Sequence, residues 1–206
     1  MGAHIIRPVP KYGQNPEAEN IIVLVGPKHA GKTSAGRALA SLRGGVFIDL
    51  DVLLEEQTGS SPRELYRKGP DLFRRAETEA LANALAPDSK TGLSTRIIAA
   101  GGGIIDNPSA VDLLRTSGAA LVYLEVPPET AWERIRQSGG LPPFLDAADP
   151  ETAHRELHLR RGALYKKITP ITVAADRGSP GDIGREIDRL LKERRHSLGR
   201  APAAQS

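Results

Sequence analysis

Eight consecutive residues constrain this chain more than any others. Gly26-Pro27-Lys28-His29-Ala30-Gly31-Lys32-Thr33 satisfies G-x-x-x-x-G-K-[ST] in full. The run before it, Ile21-Ile22-Val23-Leu24-Val25, is wholly apolar and ends at Gly26, as a strand buried on both faces does. After it, Ala35, Ala38, Leu39 and Leu42 recur at helical spacing until Gly44-Gly45 stops them. A strand, a glycine-bounded loop and a helix in that order turn backbone N–H groups and the positive end of a helix toward an anion. Lys32 adds a point charge for the outer phosphates of a nucleotide, and the Thr33 hydroxyl is a ligand for Mg²⁺. The plainer reading is a turn that happens to hold Gly and Lys. The complete match in its strand–helix setting argues against that.

The rest of the chain continues the alternation. Short apolar runs at 46–48, 96–99, 119–124 and 171–174 read as strands. Helical patterns fill 61–85 (interrupted at Gly69-Pro70), 108–114, 128–137, 151–167 and 182–191. Residues 138–149 read as a loop. The pattern predicts an α/β fold: a three-layer α/β/α domain whose five-stranded parallel sheet binds its ligand at the C-terminal strand ends. The expected organisation is a flexible extension over 1–20, one domain over 21–192 and a disordered basic tail over 193–206.

Composition excludes several classes. Cysteine is absent, so there is no disulfide framework, cysteine zinc site or thiol nucleophile. Aromatics are 4% and the net charge is +3, which offers nucleic acid neither a stacking platform nor a strong field. No stretch is long and apolar enough for a membrane span, and the first 20 residues lack a signal-peptide core. A cytoplasmic protein is expected, with no membrane or nucleic-acid partner. No N-K-x-D segment for a guanine base follows the loop, which leaves a small-molecule kinase as the class that fits the size.

A second set of motifs follows in order: Phe47-Ile48-Asp49-Leu50-Asp51; Gly69-Pro70-Asp71-Leu72-Phe73-Arg74-Arg75-Ala76-Glu77; Gly101-Gly102-Gly103; and Arg160-Arg161-Gly162-Ala163-Leu164-Tyr165. Together with the phosphate loop, this series resembles the shikimate kinase family, within the nucleoside-monophosphate-kinase-like group, over residues 20–192. The resemblance implies ATP and Mg²⁺ as cofactors, a small hydroxy acid (shikimate) as substrate, and a monomer. Lys32 and Asp51 would be catalytic, with Asp51 binding the acceptor hydroxyl and serving as its base. Gly26, Lys28, His29, Ala30, Gly31, Lys32, Thr33 and Ser34 would hold ATP, joined by Arg136, Arg177 and Pro180. Thr33 and Asp49 would hold the metal, Asp49 through water. Arg74 and Arg161 would clamp the substrate carboxylate, Glu77 would orient Arg74, and Phe73 would line the pocket. Gly101, Gly102 and Gly103 would offer backbone to the substrate, and a mobile lid would span about 139–153.

Residue chemistry gives these roles independent support. Transfer to an alcohol needs a carboxylate within hydrogen-bond reach of it. Planar guanidinium forks suit a carboxylate, and successive glycines admit a ligand close to the backbone. The plainer reading of Asp49 and Asp51 is a helix N-cap before Val52-Leu53-Leu54. For Arg74 and Arg161 it is surface ion pairing, which is the reading adopted for Arg75, Arg155 and Arg160. Two departures from the family matter. His29 stands where a glycine is usual, and Gly140-Leu141-Pro142-Pro143-Phe144-Leu145 lacks the arginine that usually precedes Pro-Leu-Leu in the lid. They motivate two alternatives: a related kinase for another hydroxy acid or polyol, and an inactive nucleotide-binding domain. His154 and His158, at i and i+4, read as a solvated helix face rather than a zinc pair, and Trp132 as core packing.

Overall fold

The computed structural model describes residues 20–86, 95–138 and 148–199. Most of the expected N-terminal extension, residues 139–147 of the expected lid and the end of the tail lie outside the described residues. The sheet strands are β1 (Ile21–Val25), β2 (Val46–Asp49), β3 (Arg96–Ala99), β4 (Ala120–Glu125) and β5 (Ile171–Ala174). All pairings are parallel, in the order β2-β3-β1-β4-β5. The helices are α1 (Lys32–Arg43), α2 (Leu50–Thr58), α3 (Pro62–Lys68), α4 (Pro70–Leu85), α5 (Pro108–Thr116), α6 (Pro128–Gln137), α7 (Pro150–Ile168) and α8 (Pro180–Gly199). A 3₁₀ turn, Ile104–Asp106, precedes α5.

Strand periodicity makes the three layers. In β1, Ile21, Val23 and Val25 face one core with Leu50, Leu54, Ala80 and Leu81, while Ile22 and Leu24 face the other with Ala35, Leu39, Ile183 and Ile187. Strand β1 is therefore apolar and buried throughout and β4 is buried as far as Leu124, whereas the edge strand β5 alternates buried and exposed. The order places β1 between β3 and β4: the chain leaves β1 for β2 and β3 on one side, then crosses from β3 to β4 and β5 on the other. The crevice at the C-terminal end of β1 is where such sheets take ligands.

Three local features differ from the sequence reading. Helix α2 begins directly at the D-x-D pair. Its signals are the Asp49 cap, Leu50 and Leu54 buried at i and i+4, and the left-handed stop at Gly59. Helix α8 runs on to Gly199, with Arg189 bonded to Glu186 and Glu193 on its exposed face. Helix α7 starts at Pro150 on an Asp149 cap, so the last residues assigned to the lid form its first turn. The expectation of a solvated face for His154 and His158 is corrected, because both are buried at 6% exposure. His158 Nε2–H donates to Val126 O (2.9 Å), and His154 lies between the rings of Trp132 and His158. Desolvation depresses both imidazoles, His154 to about 4. Among the described residues they belong to no metal-ligating cluster.

Candidate active site

The phosphate loop joins β1 to α1 at that crevice. Gly26 has φ 148°, and a Cβ there would stand 2.6 Å from Leu124 O, so only glycine fits. Gly31 caps α1 in the left-handed region. Lys32 is buried, and its Nζ donates to Gly26 O (2.9 Å) and Pro27 O (2.7 Å). The ammonium thus bridges two of the loop's own carbonyls. Desolvation lowers Lys32 to about 8, against the pull of Asp51 and Asp49.

The D-x-D pair serves two purposes at once. Asp49 ends β2 and caps α2, Oδ1 accepting from the Asp51 N–H (3.2 Å). Its Oδ2 accepts from Thr33 Oγ1 (2.9 Å). The cap and the metal reading therefore share one carboxylate. Asp51, in the first turn of α2, is exposed by surface area, but protein packs around its carboxyl, Oδ1 lying beside Gly101. That desolvation raises its pKa, the charge of Asp49 adds to the rise, and Lys32 and Lys28 oppose it.

The glycine run after β3 is where these parts meet. A Cβ on Gly101 would stand 3.0 Å from Glu77 Oε1 and 3.1 Å from Asp51 Oδ1. One on Gly102 would stand 2.7 Å from the Lys28 backbone N, and one on Gly103 3.2 Å from Arg161 Nη2. The missing side chains thus make room first for the protein's own loop, acids and arginine. Tyr165, fully buried and stacked on Tyr123, donates its hydroxyl to Gly102 O (3.2 Å) and supports the run from below.

Arg161 is 15% exposed and held at the cleft; its Nε and Nη2 lie 2.8 and 2.7 Å from Asp106 Oδ2. Arg160 takes the other Asp106 oxygen (2.9 Å) at the surface, as Arg155 takes Glu129 (3.0 Å). Arg74 is not on Glu77. It pairs with Asp71 (3.0 Å) and its side chain is 44% exposed. The hydrogen bond to Glu77 Oε2 comes instead from Asn107 Nδ2 (3.0 Å), which also donates to Arg74 O (2.8 Å). Burial pushes Glu77 up to about 7, with Asn107 pulling the other way. Phe73 packs edge-on against Tyr66 and leans on the core.

From α6, Arg134 reaches the loop, donating to His29 O (3.0 Å) and to Ala175 O (3.3 Å). Arg136, about 200° further round α6, is exposed. Arg177 and Pro180 are exposed in the segment after β5, with Arg177 near Asp176 (3.4 Å). Ala30 is buried in the loop and Ser34 exposed on α1. The sequence offers no role for Asp106, Asn107 or Tyr165; it offers Arg134, Arg136 or Lys28 as stand-ins for the lid arginine, and Arg136 alone as an ATP contact. Asn107-Pro108 is legible as a helix start, but its bond to Glu77 exists only once α4 and α5 pack together.

The family model described as shikimate kinase matches residues 28–192. A shikimate kinase of Symbiobacterium thermophilum is 35% identical over 84% of this chain and 97% of its own length. Another, of Aromatoleum aromaticum, is 32% identical over 84% of this chain and 94% of its own. The solved structure of shikimate kinase from Acinetobacter baumannii in complex with shikimate superposes with a TM-score of 0.76, at 30% identity, over 86% of this chain and 96% of that one. A P-loop on a parallel sheet, an acid pair against its lysine and near full-length matches in both sequence and structure lead to one conclusion: the chain belongs to the shikimate kinase family and is a phosphotransferase acting on a hydroxyl acceptor.

Proposed function

We propose that the chain transfers the γ-phosphate of ATP to a hydroxyl of shikimate, with Asp51 as the base. One observation carries this reading: Lys28, Asp51, Glu77 and Arg161 converge on three successive glycines, so a phosphate loop, two acids and a guanidinium border one cleft. Loop amides and the α1 N-terminus receive the phosphates, and Lys32 exchanges its two loop carbonyls for phosphate oxygens. Asp51 accepts the hydroxyl proton as the acceptor oxygen attacks in line. Its raised pKa brings it nearer the operating pH of a general base, a role worth about 10²–10⁴ in rate. Arg161, oriented by Asp106, presents its fork to the acceptor carboxylate, and Arg74 joins it by leaving the exposed Asp71.

The Thr33 hydroxyl and Asp49 carboxylate, 2.9 Å apart, are hard oxygen donors that suit Mg²⁺, a cation that keeps several waters. When bound, the metal neutralises charge on the β- and γ-phosphate oxygens. The absence of cysteine is compatible with a reducing compartment, and we take the enzyme to act in the cytoplasm as a monomer. No helix among the described residues is long and apolar enough to cross a membrane.

The test is ADP release coupled to a spectroscopic readout, with and without shikimate, beside a panel of other hydroxy acids and polyols. Shikimate-dependent turnover well above the no-acid background is expected. Turnover confined to another acceptor would remove the shikimate assignment. Nucleotide binding with no acceptor in the panel would favour an inactive domain.

A further inference from the structure

Among the described residues, His29 is the one non-glycine residue with a positive φ, at 62°. Such a conformation is strained for a side-chain-bearing residue and persists where its surroundings hold it. Here the surroundings are the last turn of α6. Arg134 Nη1 donates to the His29 carbonyl, and the ring Nε2 lies 3.4 Å from Oγ of Ser138, the residue that caps the helix. Ser138 spends its own proton on Ile135 O (2.8 Å), so toward the ring its oxygen can only accept. The tautomer that makes this contact carries its hydrogen on Nε2 and leaves Nδ1 as the basic nitrogen.

The charged groups facing this ring are Lys28 and Lys32 from the loop and Arg134 from α6, all of them cationic. Partial burial, and after it these charges, keep the imidazole below its ordinary value. Phosphates in the loop reverse the sign of that field. We propose that His29 is a proton-coupled positioning residue: nucleotide phosphates draw a solvent proton onto Nδ1, and the charged ring, donating from Nε2 to Ser138, fixes the loop against the end of α6. A charged donor makes the shorter and stronger hydrogen bond, so the 3.4 Å contact tightens on binding. This inference rests on the nucleotide-binding part of the proposed function and needs no acceptor. It assigns His29 a role that a glycine or glutamine at the same position could not fill.

The experiment uses the full chain labelled with ¹³C-histidine, whose five histidines give five resolvable signals. His29 is assigned by its loss in His29→Gln. Its titration is followed between pH 5 and 7.5, free and saturated with ADP. Lys32, with a pKa of about 8, remains mostly protonated over that range. The His29 midpoint should rise by at least one unit with ADP, which is linked to about a tenfold change in affinity between the two protonation states. ADP affinity, measured calorimetrically, should accordingly weaken several-fold more from pH 5.5 to 7.5 in the wild type than in His29→Gln. Ionisation of ADP itself is common to both proteins and cancels. Ser138→Ala should reduce the rise while leaving the fold unchanged. A midpoint that stays or falls with bound ADP, or an unchanged pH dependence in His29→Gln, overturns the proposal alone. Failure to bind ADP at any pH overturns it together with the proposed function.

Discussion

Asp51→Asn is expected to lower kcat by about 10²–10⁴, the range for losing a positioned general base, while nucleotide affinity changes little. Asparagine keeps the size of the side chain and leaves the backbone N–H that Asp49 caps. What it loses is the capacity to take the hydroxyl proton. It also removes the charge that now pulls upward on Lys32, so a modest change in nucleotide affinity is consistent and a large one is not. The measurements are steady-state kinetics with the acceptor and direct titration with ADP. Transfer that survives within a few-fold of wild type would remove Asp51 from the base role. A collapse of ADP binding would mean the residue organises the loop rather than the chemistry.

The second large effect is expected at Gly102. An added methyl would lie 2.7 Å from the Lys28 amide nitrogen and 3.0 Å from its Cα, and backbone atoms cannot swing aside. Either the phosphate loop or the glycine run must move, at the cost of about 1–3 kcal/mol typical of overpacking. Displacing the loop also moves its amides away from the phosphates. Gly102→Ala should therefore lower the melting temperature and reduce kcat/KM by at least about tenfold to a hundredfold, since catalysis depends on placement to within an ångström. Gly103→Ala meets only the tip of Arg161, at 3.2 Å, and should be the milder of the two in stability. Equal stability of Gly102→Ala and wild type would show that the contact is not as close as described.

These two residues also show what the sequence can and cannot reveal. The phosphate loop, all five strands and the approximate span of most helices are legible, because β1 and β4 are buried on both faces and need no partner to be recognised. The glycine run is legible as a place of close approach, but not what approaches. At Gly102 that is the protein's own loop, brought across the sheet by β1 and β3 pairing. The link between Arg74 and Glu77 fails for a similar reason. Their spacing on α4 favours contact, yet Asp71 on the same helix and Asn107 from α5 are the partners. His154 and His158 look solvent-facing beside Arg155 and Glu156. Stepping back along α7 from buried Tyr165 by seven and eleven residues reaches both histidines, so the phase of the helix held the signal and residue polarity hid it.

The central claim is a spatial one: an acid acceptor is held by the arginine side of the cleft and offers its hydroxyl to Asp51, opposite the loop. The crystal structure of Asp51→Asn with ATP, Mg²⁺ and shikimate, a complex stalled before transfer, tests it most directly. The expected result is a shikimate carboxylate between Arg74 and Arg161, with Arg74 swung off Asp71 and a hydroxyl beside residue 51. Shikimate bound with its carboxylate away from both arginines, or with no hydroxyl near residue 51, would contradict the account.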